Sequence, residues 1–386
     1  MHINSYVPFG ADGLIVRVEA DIRRGIPGID ITGLAEGAVR EARERVRAAF
    51  RNSGYEFPSD RILINLAPAG IRKDGASLDL PIAVSVMAAA GIIPDPQNLM
   101  VLGELELSGR LRGVRGVLAA AASGLQAGIT DFLVPLENAG EAAILKGINF
   151  FPADTLCEAV HALLVRAQTG AFPQNFYRHG LCSAGNENLT GGRSSCGSGS
   201  SGGRILPANS FSAGDFCEVK GQARYKRVLE IAAAGGHNLF VFGPPGAGKT
   251  MLARRMSSIM APLEPEEAVE VTRLYSLAGQ LPFLQNNSGA GVNSSYGAGG
   301  GIQTCGLITM PPFRSPHHSA SAEGILGGGR YVRPGEISLA HRGVLFLDEA
   351  PEFMVTVLQS LREPLEDRVI TISRAEGPVR LPADFQ

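Results

Sequence analysis

The segment Gly243-Pro244-Pro245-Gly246-Ala247-Gly248-Lys249-Thr250 has the spacing G-x-x-x-x-G-K-[ST]. Glycines at these places let the backbone curl until several N–H groups point inward, the arrangement that cradles phosphate oxygens. Lys249 is then the cation for the β- and γ-phosphates of ATP, and the Thr250 hydroxyl is a ligand for Mg²⁺. Downstream, Val344-Leu345-Phe346-Leu347 runs into Asp348 and Glu349. An apolar strand ending in two carboxylates supplies the other half of such a site: Asp348 helps to hold Mg²⁺, and Glu349 orients or activates the attacking water. Alone, that second pattern is an acidic helix start after a strand, common in α/β proteins. Together the two point to nucleotide hydrolysis. No second-substrate signature accompanies them, which argues against a kinase.

Both halves need rigid elements behind them. Asn238-Leu239-Phe240-Val241-Phe242 reads as a strand entering the loop, and Met251 to Met260 as the helix leaving it. Further upstream, Gly13 to Ala20 and Arg61 to Leu66 read as strands. Val39, Ala42, Val46 and Ala49-Phe50 recur at helical spacing between them, with Asn52-Ser53-Gly54 as the stop. Leu80 to Ala90 and Gly116 to Ala127 predict two more helices, the second leading through Gly128 to a strand at Asp131–Val134. The first helix also carries Arg40, Arg43, Arg47 and Arg51. Glu36 stands four before Arg40 and Glu41 four before Arg45, so this stripe reads as a solvated face rather than a track for phosphates.

Composition sets the outer limits. The chain has 386 residues, more than one domain's worth, with 45% hydrophobic and 19% charged residues, which excludes a largely disordered chain. Thirty-five Lys plus Arg against 37 Asp plus Glu leave a net charge of −2, so any contact with nucleic acid must come from a local patch. Five scattered cysteines without a CxxC pair argue against a disulfide scaffold or zinc ribbon and fit a reducing cytoplasm. The start shows no signal-peptide pattern, and the apolar run Leu80–Ile93 is too short to span a bilayer, so no membrane is expected. A Gly/Ser-biased stretch divides the chain into 1–167, a flexible linker 168–213, and 214–386. A second Gly-rich patch, Gln285–Gly301, reads as a surface insertion.

Beyond the two phosphate-site motifs, longer stretches carry a resemblance: Asp215–Gln222, LEIAAAGGHN at Leu229–Asn238, FRSPHHS at Phe313–Ser319, RPGEISLAH at Arg333–His341 and LREPLE at Leu361–Glu366. With Gly28–Leu34 and Asn65–Ala69 they make the sequence similar to magnesium-chelatase-like AAA+ ATPases of the YifB/ComM type. The resemblance implies an α/β fold: a Lon-protease-like α+β domain, the linker, and an incomplete AAA+ P-loop core with a parallel sheet. It implies ATP and Mg²⁺ as cofactors and a homo-hexameric ring as the working form. DNA is the implied partner, through branch migration of recombination intermediates in natural transformation. A chelatase motor subunit that inserts Mg²⁺ into a porphyrin is the alternative.

The resemblance also assigns residues. Val219 and Gln222 fall in the segment that lies near the adenine. Arg314 and Arg333 are candidate cations toward phosphate or DNA. Arg374 stands at the tip of a β-hairpin formed by Val369–Ser373 and Val379–Leu381, which in related motors faces the pore. His317, His318 and His341 imply structural or motor-coupling use rather than zinc, since no Asp, Glu or Cys stands at ligand spacing. Pro311 occupies a position where the family usually has arginine. Lys73-Asp74-Gly75-Ala76-Ser77 matches the stretch that holds the Lon nucleophile, with Ser77 in the serine position. Leu118 falls where Lon has its lysine base, and no lysine lies between Lys73 and Lys146, so a peptidase reading lacks its base. In AAA+ proteins the next strand bears sensor 1, followed by the arginine finger and lid. The chain reaches Gln386 just before that strand, which implies a truncated product that binds ATP weakly and hydrolyses it near background.

Overall fold

The computed structural model describes residues 2–11, 13–33, 37–70, 73, 75–173, 215–244, 246–281, 283–284, 304–329, 332–373 and 378–386. The linker 168–213, beyond its first six residues, and the patch Gln285–Gly301 lie outside them. The first part runs β1 (His2–Val7), β2 (Leu14–Arg23), β3 (Gly28–Thr32), α1 (Gly37–Asn52), β4 (Arg61–Ala67), α2 (Asp79–Ala89), β5 (Leu99–Val101), β6 (Glu104–Leu105), β7 (Leu111–Arg112), α3 (Val117–Gln126), β8 (Asp131–Pro135), α4 (Ala139–Ala142), β9 (Asn149–Ala153) and α5 (Leu156–Thr169).

Period-two alternation builds its sheet. In β2, Val16, Val18 and Ala20 are buried while Arg17 and Asp21 face outward. Seven strands join in the order β3-β4-β2-β1-β5-β8-β9. The pairs β3/β4, β1/β5, β5/β8 and β8/β9 are parallel, and β1/β2 and β2/β4 antiparallel. Side chains leave its two faces in turn. Leu99, Val101 and Leu133 pack with residues of α1, α2 and α5, whereas Met100, Phe132 and Val134 pack with α3 and α4. The result is a three-layer α/β/α sandwich. The apolar stripe of α1, namely Val39, Ala42, Val46, Ala49 and Phe50, is fully buried. Its arginines divide as their spacing requires: Arg43, Arg47 and Arg51 are exposed, and Arg45 turns inward to Asp79.

That inward pair has a consequence for stability. Arg45 Nε and Nη2 donate to the Asp79 carboxylate at 2.6 and 3.0 Å, and the Asp79 side chain has no exposure. Burial pushes the Asp79 carboxyl up to about 6, more than the bond from Arg45 pulls it down. Between the ordinary carboxyl range near pH 4 and about pH 6 the folded chain therefore holds a proton that the unfolded chain has released. The stability this proton contributes is present below that window and is lost as pH rises through it. A shift of this size corresponds to about 3 kcal/mol. Urea unfolding at stepped pH should show the parent losing stability relative to Asp79→Asn by about 2–3 kcal/mol from pH 4 to 7. A pH-independent difference would refute the assignment.

The second part runs α6 (Ala223–Gly235), α7 (Lys249–Arg254), α8 (Pro265–Ala278), β10 (Phe283–Leu284), β11 (Thr304–Cys305), β12 (Phe313–Arg314), α9 (Ala322–Leu326), β13 (Gly327–Gly328), β14 (Arg333–Pro334), α10 (Glu336–Leu339), β15 (Val344–Leu345), α11 (Val355–Ser360), α12 (Arg362–Asp367), β16 (Val369–Ile372) and β17 (Val379–Pro382). A capping box between Glu264 and Glu267 starts α8. The expected hairpin is present, with Ile370 opposite Leu381 in β16/β17.

Three expectations for this part need correction. Asn238–Phe242 is not a strand: it joins no ladder among the described residues, and Phe240 and Phe242 are 82% and 85% exposed. An apolar run becomes a strand only where a neighbouring edge takes its N–H and C=O groups, and no described strand lies beside it. Parallel pairing in this part is correspondingly reduced to β12 against β15. On β15's other side Leu345 N–H donates to Gln386 O and Gln386 N–H to Gly343 O, so the last described residues already run alongside it. Finally, the helix after the loop stops at Arg254 rather than Met260, followed by a short 3₁₀ turn at Met256–Ser258. Ser258 Oγ takes the Arg255 carbonyl at 2.7 Å, a local bond that competes with helix continuation. No helix of the described residues is long and apolar enough to cross a membrane.

Candidate nucleotide-binding site

The loop and the distant carboxylates meet. Thr250 Oγ1 donates to Asp348 Oδ2 at 2.9 Å across 98 positions of sequence. Asp348 Oδ1 in turn accepts from the Glu349 backbone N–H at 3.1 Å. A hydroxyl and a carboxylate side by side form a hard, all-oxygen donor pair of the kind that suits Mg²⁺, so these residues fit the metal. The loop fits phosphate as well. Gly243 and Gly246 have φ of 158° and 77°, and a Cβ added at either would project into open space. Backbone at these angles is open to glycine and strained for other residues, so the loop's path depends on them. Lys249 Nζ donates to the carbonyls of Gly243 at 2.8 Å and Pro244 at 2.9 Å, folding the ammonium back across the loop it would use to hold phosphate. Ala247 and Gly248 complete the turn into α7, and Pro245 lies outside the described residues.

Gln222 and Glu349 share an unusual backbone. Gln222, with φ of 55°, reaches the loop through Nε2, which donates to Ala247 O at 3.3 Å. Glu349 has φ of 53°. Left-handed backbone at a non-glycine residue is uncommon and costs energy. Val219, expected near the adenine, is enclosed by apolar neighbours. Its side chain is 4% exposed and packed with Phe216 and Leu229, leaving its backbone O to accept from Lys226 Nζ.

A neighbour of the site was not foreseen. His318 Nδ1 lies 3.7 Å from Glu349 Oε2, and the His317 and His318 rings stand 4.1 Å apart. His317 Nδ1 is paired with Ser319 Oγ at 2.8 Å. Among the described residues no group of three His, Cys, Asp or Glu could hold a metal ion. His341 is buried, lies 3.1 Å from Glu270, and accepts from the Asp384 N–H through Nδ1; burial lowers its pKa. The only local signal for His318 was its place in FRSPHHS, since the carboxylate it approaches lies far along the chain.

The DNA candidates separate. Arg314 is not a free cation: Nε and Nη2 both donate to Glu336 at 2.6 Å and the side chain is 17% exposed. A guanidinium held bidentately by a carboxylate has little charge left for a phosphate. Arg333 is exposed on β14, and Arg374 lies outside the described residues. In the Lon-like stretch, Lys73 is 1% exposed and donates to the carbonyls of Gly33 and Pro68, with its pKa lowered by burial. Ser77 is half-buried in a 3₁₀ turn, and Leu118 is buried without exposure.

Comparison with known proteins places the chain in a family. The pattern of the family described as subunit ChlI of Mg-chelatase matches residues 18–138. That of magnesium chelatase, subunit ChlI, matches 215–290 and 281–386. The chain is 39% identical to the uncharacterized protein YifB of Salmonella typhimurium, over 100% of the chain and 66% of that protein. It is 35% identical to the competence protein ComM of Haemophilus influenzae, over 100% of the chain and 67% of ComM. A Lon protease of Bacillus subtilis is 27% identical over 44% of the chain and 33% of its own length. The chain thus spans about two thirds of the length of the full-length relatives it matches.

Proposed function

The chain belongs to the magnesium-chelatase subunit ChlI family together with YifB and ComM, and from that premise we propose that it binds ATP with Mg²⁺ at Gly243–Thr250, the site at which a full-length family member hydrolyses ATP to remodel DNA as a ring. The observation that carries the reading is the 2.9 Å contact between Thr250 and Asp348, which brings the loop's hydroxyl to the carboxylate beyond β15. Thr250 and Asp348 would hold Mg²⁺, which when bound neutralises charge on the β- and γ-phosphates. Lys249 exchanges its loop carbonyls for phosphate oxygens, and Gln222 braces the loop from the side of α6. Glu349 orients the attacking water, with His318 beside it. Residues 1–167 serve as a Lon-like unit, 168–213 as its tether and 214–386 as the motor core, with the homo-hexamer as the assembly of a full-length family member. The name of ComM, a competence protein, supports DNA as substrate. The family's name supports a second reading, a motor for Mg²⁺ insertion into a porphyrin.

Anisotropy of labelled single-stranded and branched DNA, with a slowly hydrolysed ATP analogue and Mg²⁺, separates the two readings. DNA affinity should fall log-linearly between about 50 and 200 mM salt, and Arg333→Ala should weaken it and reduce the slope by about 1. Saturable porphyrin binding without DNA binding would favour the chelatase reading. Serine-directed labelling that depends on Ser77 would instead support a peptidase.

A further inference from the structure

α8 enters the packing of the N-terminal sheet unit. Leu277 is 6% exposed within a cluster whose other buried members, among them Tyr6, Met100, Val117 and Phe132, all come from residues 2–173. Gly116 makes room for it, since a Cβ there would lie 3.0 Å from Leu277 Cδ2. Beside Leu277, Ser276 Oγ donates to Oε1 of Glu141. The same oxygen accepts from the Leu118 N–H at 2.7 Å, and Oε2 accepts from Asn138 Nδ2 at 3.2 Å. Glu141 is 5% exposed, and burial raises its pKa. Its partners among the described residues are neutral donors, with the start of α3 the principal one.

This chemistry makes a contact that can exist in two states. Leu118 and Asn138 belong to the same unit as Glu141, so their bonds to it do not cross the seam. Closing the seam removes water from the carboxylate and returns a single charge-assisted bond, from Ser276, together with the burial of Leu277. Opening it rehydrates the carboxylate and leaves both units with their own cores. On its other flank α8 is tied to the second unit: Tyr275 Oη donates to Leu339 O at 3.0 Å, and the Arg314 guanidinium stands 5.9 Å from the Tyr275 ring.

We propose that Glu141 and Ser276 form a reversible latch between the N-terminal sheet unit and α8, with an open state in which Glu141 is hydrated. The latch does not depend on what the loop Gly243–Thr250 binds. Hydrogen exchange of the segments covering α3 and the end of α8 tests it. Ser276→Ala keeps a strong helix former in α8 and removes only the cross-seam bond; it should speed exchange in both segments while leaving α1 and α2 at parent rates. Ser276→Asp sets a second carboxylate against Glu141 and should accelerate the same segments by about tenfold or more. Glu141→Gln added to Ser276→Asp gives the new carboxylate an amide donor and should slow them again. Parent-like exchange in Ser276→Ala would overturn the latch. So would a double variant as fast as Ser276→Asp alone, because the effect would then be packing damage rather than charge.

Discussion

Lys249→Ala should raise the dissociation constant for Mg-ATP at least tenfold, about 1.4 kcal/mol or more, measured by calorimetry. The ammonium is the one cation that the loop motif directs at the β- and γ-phosphates, and it spans the cradle through the carbonyls of Gly243 and Pro244. Removing it takes away both that charge and the brace across the loop. Fold damage is separable from lost binding. The Lys249 carbonyl, which the Tyr225 hydroxyl meets at 3.4 Å, remains in the alanine variant, and alanine suits the start of α7. Thr250→Ala should act differently, weakening binding mainly when Mg²⁺ is present, because its hydroxyl faces Asp348 rather than the loop carbonyls. Equal affinity of parent and Lys249→Ala would show that nucleotide does not bind at this loop.

How much of this was legible in the sequence depended on how far apart the partners lie. Helix α1 was visible because Val39, Ala42, Val46 and Phe50 repeat at helical spacing on one chain segment, and the structure buries all four. The motifs Gly243–Thr250 and Asp348-Glu349 were visible because each is local, and the structure brings Thr250 and Asp348 together. Phe240 and Phe242 misled for a physical reason: their pattern records fitness for a buried strand, while strand formation depends on a neighbouring edge. Arg314 misled in another way, since its charge was evident but its partner Glu336, fixed by the close approach of β12 and α10, was not. The contacts His318–Glu349 and Ser276–Glu141 left no trace in spacing. Each joins residues brought together only by packing, and neither member belongs to a local motif that predicts the other.

Glu349→Gln should preserve Mg-ATP affinity and remove hydrolysis, lowering turnover by about 10²–10⁴-fold in an assembled preparation whose parent turns over ATP. The two halves of that expectation come from different atoms. In the proposed function affinity is assigned to Lys249, Thr250 and Asp348, and glutamine at 349 leaves all three in place, including the backbone N–H that donates to Asp348 Oδ1 at 3.1 Å. Turnover is assigned there to a carboxylate that would accept a proton from, or align, the attacking water, and an amide of the same volume would do so poorly. The substitution also isolates chemistry from conformation, because glutamine tolerates the left-handed backbone at φ of 53° about as well as glutamate does. His318, 3.7 Å from Glu349 Oε2, provides an internal comparison. His318→Ala should reduce turnover less than Glu349→Gln, since it removes a neighbour of the acting group rather than the group itself. Phosphate release and fluorescent-nucleotide affinity measured on the same preparations decide the matter. Undiminished release in Glu349→Gln would mean that water is activated elsewhere, and weakened binding would mean that Glu349 belongs to the metal and phosphate cradle.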